Sequence, residues 1–209
     1  MYANIHRVSY FLDPTLTTTD DAIAFDVFTF SYRGYVPNDS HTPNERNIID
    51  DSIALYDYVK SLYPAETRPL LFSHSLGTGP ASALLEKFGD SDESGPACAG
   101  LAMPYSSMSQ CISELGFYTP LLFLYLIDSW NSLQRIKNMN PGVNLIILSA
   151  ALDEFIAPHH QQIIFDNAGA NDKKLFYSEE ADHNDLYSPI NLHLEAHLEF
   201  MESCRSRSV

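Results

Sequence analysis

Residues 69–80 read PLLFSHSLGTGP, and this stretch decides the fold. The apolar run from Pro69 to Ser73 predicts a short buried strand, and the pattern from Thr78 to Phe88 predicts a helix. The turn between these two elements holds Ser75. A tight strand-to-helix turn raises its central serine above the sheet in a strained conformation, which is the geometry that a reactive serine needs.

The turn, Ser73-His74-Ser75-Leu76-Gly77, departs from the pattern G-x-S-x-G at its first position, which is Ser73. Serine is small enough to avoid a backbone clash there, and Gly77 and Gly79 give the helix close access to the sheet. The Leu76 N–H lies at the positive end of that helix, which suits it to a developing oxyanion. An ordinary turn with a buried serine would show the same motif.

Apolar runs alternate with helical patterns elsewhere, which is typical of a mostly parallel sheet flanked by helices. The 209 residues hold neither repeats nor a linker, so we expect one α/β domain over 1–204 and a tail over 205–209. Further strands are predicted at 26–32, 99–103, 144–149 and 174–178, and helices at about 44–63, 106–139, 158–168 and 189–203.

Two neighbouring carboxylates, Asp153 and Glu154, follow the predicted strand at 144–149. An acid in this loop can reach across the end of the sheet, where it would orient an imidazole and stabilise its charged form. A solvated loop carboxylate would look the same in the sequence, and the motif leaves both residues as candidates.

The chain has eight histidines, and His183 stands in a polar loop between the last predicted strand and the last predicted helix. From there an imidazole can approach Ser75 and accept its proton. The alternatives are His74, His159 and His160. His74 adjoins the serine and should point away from it, whereas His159 and His160 begin a helix and are predicted at the surface.

Five segments of the sequence carry a family resemblance. They are FSYRGY at 30–35, DDSIALYDYV at 50–59, SHSLGTGP at 73–80, DEFIAP at 153–158 and HNDL at 183–186. Together they resemble the α/β-hydrolase superfamily, in the branch that contains monoacylglycerol and lysophosphatidylserine lipases and related protein depalmitoylases. The resemblance spans roughly residues 5 to 200, and Ala157 stands where the family has proline.

This resemblance implies an α/β-hydrolase fold with Ser75 as nucleophile, Asp153 rather than Glu154 as acid, and His183 as base. It implies hydrolysis of a fatty-acyl ester or thioester through an acyl-enzyme, without a cofactor. The segment 106–139 would line the acyl pocket. Its apolar side chains, which suit a core equally well, are Phe117, Leu121, Leu122, Phe123 and Leu126.

The family normally has strands before the one predicted at residue 26, and a loop similar to H-G-N-x-G that supplies a second oxyanion donor. We find no such segment here and expect a domain truncated at its N-terminus. Loss of one oxyanion donor costs on the order of 10²–10³ in rate. A catalytically impaired binding or regulatory protein is therefore the alternative, while a peptidase has only the shared triad in its favour.

Composition narrows the function classes. The formal net charge of −15, from 27 acidic and 12 basic residues, argues against binding to nucleic acid. The three cysteines, Cys98, Cys111 and Cys204, are an odd number without metal-ligand spacing. They predict buried or idle thiols in a reducing compartment rather than a disulfide framework, and no metal site.

No signal peptide is recognised, and the longest apolar run, Tyr118 to Ile127, is about half of the roughly 20 residues that a spanning helix needs. We therefore expect a cytoplasmic or membrane-peripheral protein. Its expected partner is a small acyl ester or lipid, and contact with a membrane surface is compatible with the sequence. The oligomeric state is left open.

Overall fold

The computed structural model describes residues 26–37, 39–90, 94–114, 129–184 and 204. The helices in these ranges are α1 (Glu45–Ser61), α2 (Thr78–Lys87), α3 (Met108–Glu114), α4 (Ser132–Lys137) and α5 (Pro158–Asn167). The strands are β1 (Leu70–His74), β2 (Cys98–Ala102), β3 (Asn144–Ala150) and β4 (Asp172–Ser178). The predictions for these four strands are confirmed to within two residues at each end.

The four strands form one parallel sheet in the order β1-β2-β3-β4. His74 at the end of β1 pairs with Ala102, which pairs with Leu148, and Ser178 closes β4 opposite Ala150. The carboxyl ends of all four strands therefore meet at one edge of the sheet. The loops that carry Ser75, Asp153 and His183 leave the sheet at this edge.

The core lies on both faces of the sheet because successive strand side chains point to opposite sides. Odd-numbered residues of β2 and β3, such as Leu101 and Ile147, pack against α2, α4 and α5 through Leu85, Ile136 and Ile164. Even-numbered residues of the same strands pack against α1 and the segment around residues 103–111. Both faces are thus covered, as a parallel sheet requires.

Helix α1 begins at its cap residue Asn44, whose side chain accepts a hydrogen bond from the Asn47 N–H at 2.9 Å. The residues of α1 that are buried are Ile48, Ser52 and Tyr56, which lie four residues apart on one face of the helix. Ser52 is tolerated in the core because its hydroxyl donates to the Ile48 carbonyl at 2.8 Å.

The prediction of a strand at Asp26–Tyr32 is wrong. The segment has no ladder partner among the described residues, and β1 is the edge of the described sheet. A β-strand requires an adjacent strand that accepts and donates its backbone hydrogen bonds, and strand propensity in the sequence does not provide that partner. The segment is held to the residues after α1 by side-chain contacts. The Phe28 ring packs edge-on against the Tyr63 ring, with centroids 6.4 Å apart, and the Tyr63 hydroxyl donates a hydrogen bond to the Asp26 carboxylate.

The prediction of buried or idle thiols without a disulfide is wrong for Cys98 and Cys204 and holds for Cys111. Cys98 at the start of β2 forms a disulfide with Cys204, with their Cα atoms 5.7 Å apart, and only Cys111 is a free, buried thiol in the described part. The paired cysteines are 106 residues apart, so no local pattern signals their pairing.

Several predictions lie outside the described residues. They include the helix at 189–203, the tail at 205–209, and the pocket candidates Phe117, Leu121, Leu122, Phe123 and Leu126. Of the helices that the structure does describe, none combines the length and the apolar character needed to cross a bilayer.

Candidate active site

The turn after β1 holds Ser75 in a left-handed backbone conformation, with φ at 54°. Such a conformation is strained for a residue with a Cβ and persists only where the surroundings enforce it. A short 3₁₀ turn over Ser75–Gly77 joins β1 directly to α2. The Thr78 hydroxyl donates to the Ser75 carbonyl at 2.7 Å and so fixes the entry to the helix.

Three candidate residues meet at the edge of the sheet. The Ser75 Oγ atom lies 2.8 Å from His183 Nε2, and His183 Nδ1 lies 2.7 Å from Asp153 Oδ2. The Asp153 carboxylate is fully buried, and the His183 side chain is 9% exposed. The residues come from the loops after β1, β3 and β4, and together they form one continuous hydrogen-bonded chain.

The Asp153 carboxylate is oriented by its own loop. Its Oδ1 atom accepts the backbone N–H groups of Phe155 and Ile156 at 2.9 and 2.8 Å, which leaves Oδ2 for His183. This is the local side-chain-to-backbone turn that aspartate favours. Glu154, the competing carboxylate, is exposed to solvent.

The loop of the acid is bonded to the loop that carries His183. The Ala151 N–H donates to the Ser178 carbonyl at 2.8 Å, and the Leu152 N–H donates to the Ala181 carbonyl at 3.0 Å. The Ala181 N–H in turn donates to the Ser178 hydroxyl at 3.2 Å. These bonds continue the pairing of β3 with β4 and set the spacing between Asp153 and His183.

His74 holds a position that the sequence did not indicate. Its Nε2 atom donates to the backbone oxygen of His183 at 2.9 Å, across 109 residues, and the two rings lie 4.9 Å apart. The sequence singled out His74 only as an alternative base. Its place beside Ser75 was visible, but nothing local signals a contact with so distant a residue.

A buried tyrosine, Tyr105, and a partly buried one, Tyr32, flank the turn. The Tyr105 hydroxyl donates to the Leu76 carbonyl at 3.4 Å, and the Tyr32 hydroxyl lies 3.6 Å from where a Cβ on Gly77 would stand. Burial raises the pKa of Tyr32 to about 12 and raises the pKa of Tyr105 as well. Both phenols are therefore neutral at physiological pH and bring no negative charge beside the turn.

The other two candidate histidines are paired with Glu114. His159 is half-exposed, but His160 is completely buried, so the prediction that both lie at the surface is wrong for His160. The reason is that the His160 ring contacts Cys111 on α3 and Ser106 just before that helix.

No family model matches the chain. The α/β-hydrolase domain-containing protein WAV2 of Arabidopsis thaliana is 26% identical over 85% of this chain and 60% of its own length. The lysophosphatidylserine lipase ABHD12 of Danio rerio is 34% identical over 33% of this chain and 18% of its own. The chain spans 54% to 60% of the length of the curated relatives that it matches over most of its own sequence.

Among solved structures, the monoacylglycerol lipase of Paleococcus ferrophilus superposes with a TM-score of 0.55 at 14% identity, over 79% of this chain and 77% of the lipase. The chain has the α/β-hydrolase fold. The superfamily resemblance indicated by the five sequence segments is thereby confirmed. At 14% identity, the superposition on a solved lipase shows the fold alone, and the reaction has to be argued from the residues of the site.

Proposed function

We propose that this protein is a serine hydrolase that cleaves lipid-like acyl esters, of the monoacylglycerol or lysophospholipid type, through an acyl-enzyme on Ser75. The observation that carries the proposal is the continuous chain from Ser75 Oγ through the His183 ring to Asp153 Oδ2, at 2.8 and 2.7 Å. Both distances are within the reach that proton transfer requires.

In the acylation step, Ser75 Oγ attacks the carbonyl carbon of the ester while His183 Nε2 accepts its proton. The imidazolium that forms is stabilised by Asp153, whose carboxylate is already held by two backbone donors. His183 then gives the proton to the departing alcohol or thiol. Water attacks the acyl-enzyme in the same way and restores the free serine.

The negative charge on the former carbonyl oxygen needs a donor, and Leu76 is the residue that supplies one. Its backbone N–H follows Ser75 in the 3₁₀ turn at the start of α2. A helix N-terminus carries a partial positive charge that favours an anion. Because the phenols of Tyr32 and Tyr105 are neutral, neither of them repels that anion.

An acyl chain as substrate is supported by the apolar surface beside the base. Leu152 and Phe155 are 60% and 50% exposed, and the Phe155 ring packs edge-on against His183 at 5.1 Å. Exposed apolar side chains next to a reactive group are typical of a site that binds an apolar ligand. The same two side chains would face a membrane surface if the substrate were drawn from one.

A fluorophosphonate reagent, which reacts with activated serines, tests the role of Ser75. We expect covalent labelling of the wild-type protein and none of Ser75→Ala. Ser73→Ala is the matched control, because the buried Ser73 hydroxyl has no hydrogen-bond partner among the described residues. Ser73→Ala should be labelled like wild type, whereas equal labelling of wild type and Ser75→Ala would refute the proposal.

A catalytically impaired binding or regulatory protein is the second candidate function. Two departures from the motifs of the α/β-hydrolase branch that the sequence resembles favour it: Ser73 replaces a glycine, and Ala157 replaces a proline. Hydrolysis of monoacylglycerol, lysophosphatidylserine and p-nitrophenyl esters separates the two functions. Turnover above that of Ser75→Ala supports the hydrolase, and turnover equal to it supports the binding protein.

A further inference from the structure

A completely buried glutamine, Gln161, lies in the first half of α5, beside the carboxyl end of β3. An amide is costly to bury unless its donors and its acceptor are bonded. Gln161 Oε1 accepts a hydrogen bond from the Ser149 hydroxyl at 3.1 Å. Gln161 Nε2 donates to the carbonyl oxygens of Ile156 and Pro104 at 3.2 and 3.4 Å. Both ends of the amide are therefore bonded.

The three partners of this amide belong to three different segments. Ser149 is in β3, Ile156 is in the loop between β3 and α5, and Pro104 follows β2. The two carbonyl oxygens can only accept, so the Nε2 end of the amide must face them and the Oε1 end must face Ser149. One side chain thus holds a strand and two loops in fixed relative positions.

The bond to Ile156 bears directly on the candidate acid. The Ile156 N–H donates to Asp153 Oδ1 at 2.8 Å, and the Ile156 carbonyl accepts from Gln161. These two bonds lie on either side of the same α-carbon. The position of the N–H that holds the carboxylate therefore depends on where the amide of Gln161 holds the carbonyl.

The two halves of the acid loop are held by different contacts. The first half is bonded through the Ala151 and Leu152 N–H groups to the loop that carries His183. The second half enters α5 at Ala157, whose side chain makes no capping hydrogen bond. Gln161 reaches back from the helix to Ile156 and supplies the side-chain bond that joins this half to α5.

The bond to Pro104 extends the same network towards the nucleophile turn. Pro104 precedes Tyr105, whose hydroxyl donates to the Leu76 carbonyl at 3.4 Å. Leu76 follows Ser75 in the 3₁₀ turn. The amide of Gln161 is therefore linked to the loop of the candidate acid on one side and to a neighbour of the turn on the other.

We propose that Gln161 is a positioning residue for the acid Asp153. It acts through the Ile156 backbone, which holds Asp153 Oδ1 and so directs Oδ2 towards His183 Nδ1 at 2.7 Å. The inference rests on the proposed serine-hydrolase function. Gln161 itself takes part in no bond-making step.

The substitution that tests this role is Gln161→Met, which nearly conserves volume but removes the donor and the acceptor. We expect kcat for a p-nitrophenyl ester to fall about tenfold or more with little change in KM, because a misplaced acid acts on the transition state. Gln162→Met is the matched control, since Gln162 is the next residue of α5 and is exposed to solvent. It should have the kinetics of wild type.

A double-mutant cycle separates positioning of the acid from a general loosening of the core. The rate of fluorophosphonate labelling is measured for Gln161→Met, for Asp153→Asn and for the two substitutions combined. If Gln161 acts through Asp153, adding Gln161→Met to Asp153→Asn should change the rate by no more than a factor of about two. Multiplicative losses would show that Gln161 acts by another route and would overturn the proposal.

Proton NMR gives a readout that requires no substrate. A proton held between an imidazole and a buried carboxylate is strongly deshielded and resonates at low field. Asp153→Asn, which lacks the carboxylate, identifies this signal for His183 Nδ1–H. We expect Gln161→Met to move the signal upfield or broaden it, and Gln162→Met to leave it in place. An unchanged signal in Gln161→Met would also overturn the proposal.

Failure of this inference is distinguishable from failure of the proposed function. Absence of fluorophosphonate labelling in wild type would refute the function, and the low-field signal would then still test the contact between Gln161 and the acid loop. Labelled wild type with an equal kcat in Gln161→Met would refute the role of Gln161 alone. If Gln161→Met does not fold, Gln161→Asn keeps an amide in the core but is one methylene too short for all three bonds, and it should show an intermediate loss of kcat.

Discussion

His74 Nε2 donates a hydrogen bond to the backbone oxygen of His183 at 2.9 Å. The residue that precedes the candidate nucleophile therefore holds the backbone of the candidate base. We expect the alignment of Ser75 Oγ with His183 Nε2 to depend on this bond as well as on the Asp153 carboxylate. In that role His74 would be a positioning residue, since its contact reaches the imidazole through the main chain.

We predict that His74→Phe, which keeps a ring but removes the donor, lowers kcat of ester hydrolysis about tenfold with little change in KM. The loss of one hydrogen bond is worth about 1 kcal/mol, and misplacement of the base acts on the transition state. Steady-state kinetics with a p-nitrophenyl ester measures the effect. His74→Gln, which retains an N–H donor, should recover part of the rate, and a wild-type kcat in His74→Phe would refute the role.

Asp153→Asn should lower kcat on the order of 10⁴-fold while the protein remains folded. An amide at this position turns the His183 ring into the wrong tautomer, as in serine proteases. The loss should appear in kcat/KM and in the rate of fluorophosphonate labelling.

Glu154→Gln is the matched control for the acid, because Glu154 adjoins Asp153 but is exposed to solvent. We expect it to keep activity within a factor of about two of wild type. The reverse result, with Glu154→Gln inactive and Asp153→Asn active, would transfer the role of the acid to Glu154.

The parts of the fold that the sequence predicted are those encoded locally. The run at 144–149 has four consecutive apolar residues and becomes the buried strand β3, and SHSLGTG spans the end of β1, the 3₁₀ turn and the start of α2. The candidate residues Ser75, Asp153 and His183 lie at the carboxyl ends of strands, so their common edge follows from a parallel sheet.

The parts that sequence reasoning missed depend on distant contacts. Asp26–Tyr32 has strand character, but a ladder requires a neighbour that no local pattern supplies. The burial of His160 depends on α3, and the pairing of Cys98 with Cys204 spans 106 residues. Local propensity cannot reveal any of these three, because tertiary contacts decide them.

Gly79→Ala should destabilise the protein by about 1–3 kcal/mol, as overpacking of a filled core does. A Cβ at this position would lie 2.5 Å from Trp130 Cε3 and closer still to the Tyr105 hydroxyl. Urea unfolding monitored by fluorescence measures the change in the free energy of unfolding.

Gly77→Ala, at the last residue of the turn before α2, is the matched control. An added Cβ there would meet Tyr32 and Ser73 at 3.6 and 3.8 Å, which are ordinary contact distances. Its stability should stay within about 0.5 kcal/mol of wild type. Equal stability of Gly79→Ala and wild type would show that Trp130 and Tyr105 can move aside.

Cys98→Ser should lower the free energy of unfolding by about 2–4 kcal/mol, because the disulfide with Cys204 restricts the unfolded chain. Thiol titration of the wild-type protein in denaturant should give one free thiol, from Cys111, and three after reduction. Reductant should not change the stability of Cys98→Ser. Three free thiols before reduction would contradict the pairing.

Asp39 should contribute to acid stability in a defined pH window. Its carboxylate accepts the backbone N–H groups of Gly34 and His41 at 2.7 and 3.0 Å, and these bonds lower its pKa to about 2 from an ordinary value of 3.8. The unfolded chain therefore takes up this proton first as the pH falls, so the stabilisation is complete above about pH 4 and is lost progressively towards pH 2.

Asp39→Asn should flatten this part of the curve of unfolding free energy against pH, measured by urea titration at each pH. Asp57→Asn, which alters an exposed carboxylate of α1, should leave the curve unchanged, and identical curves for Asp39→Asn and wild type would show that Asp39 does not stabilise the loop.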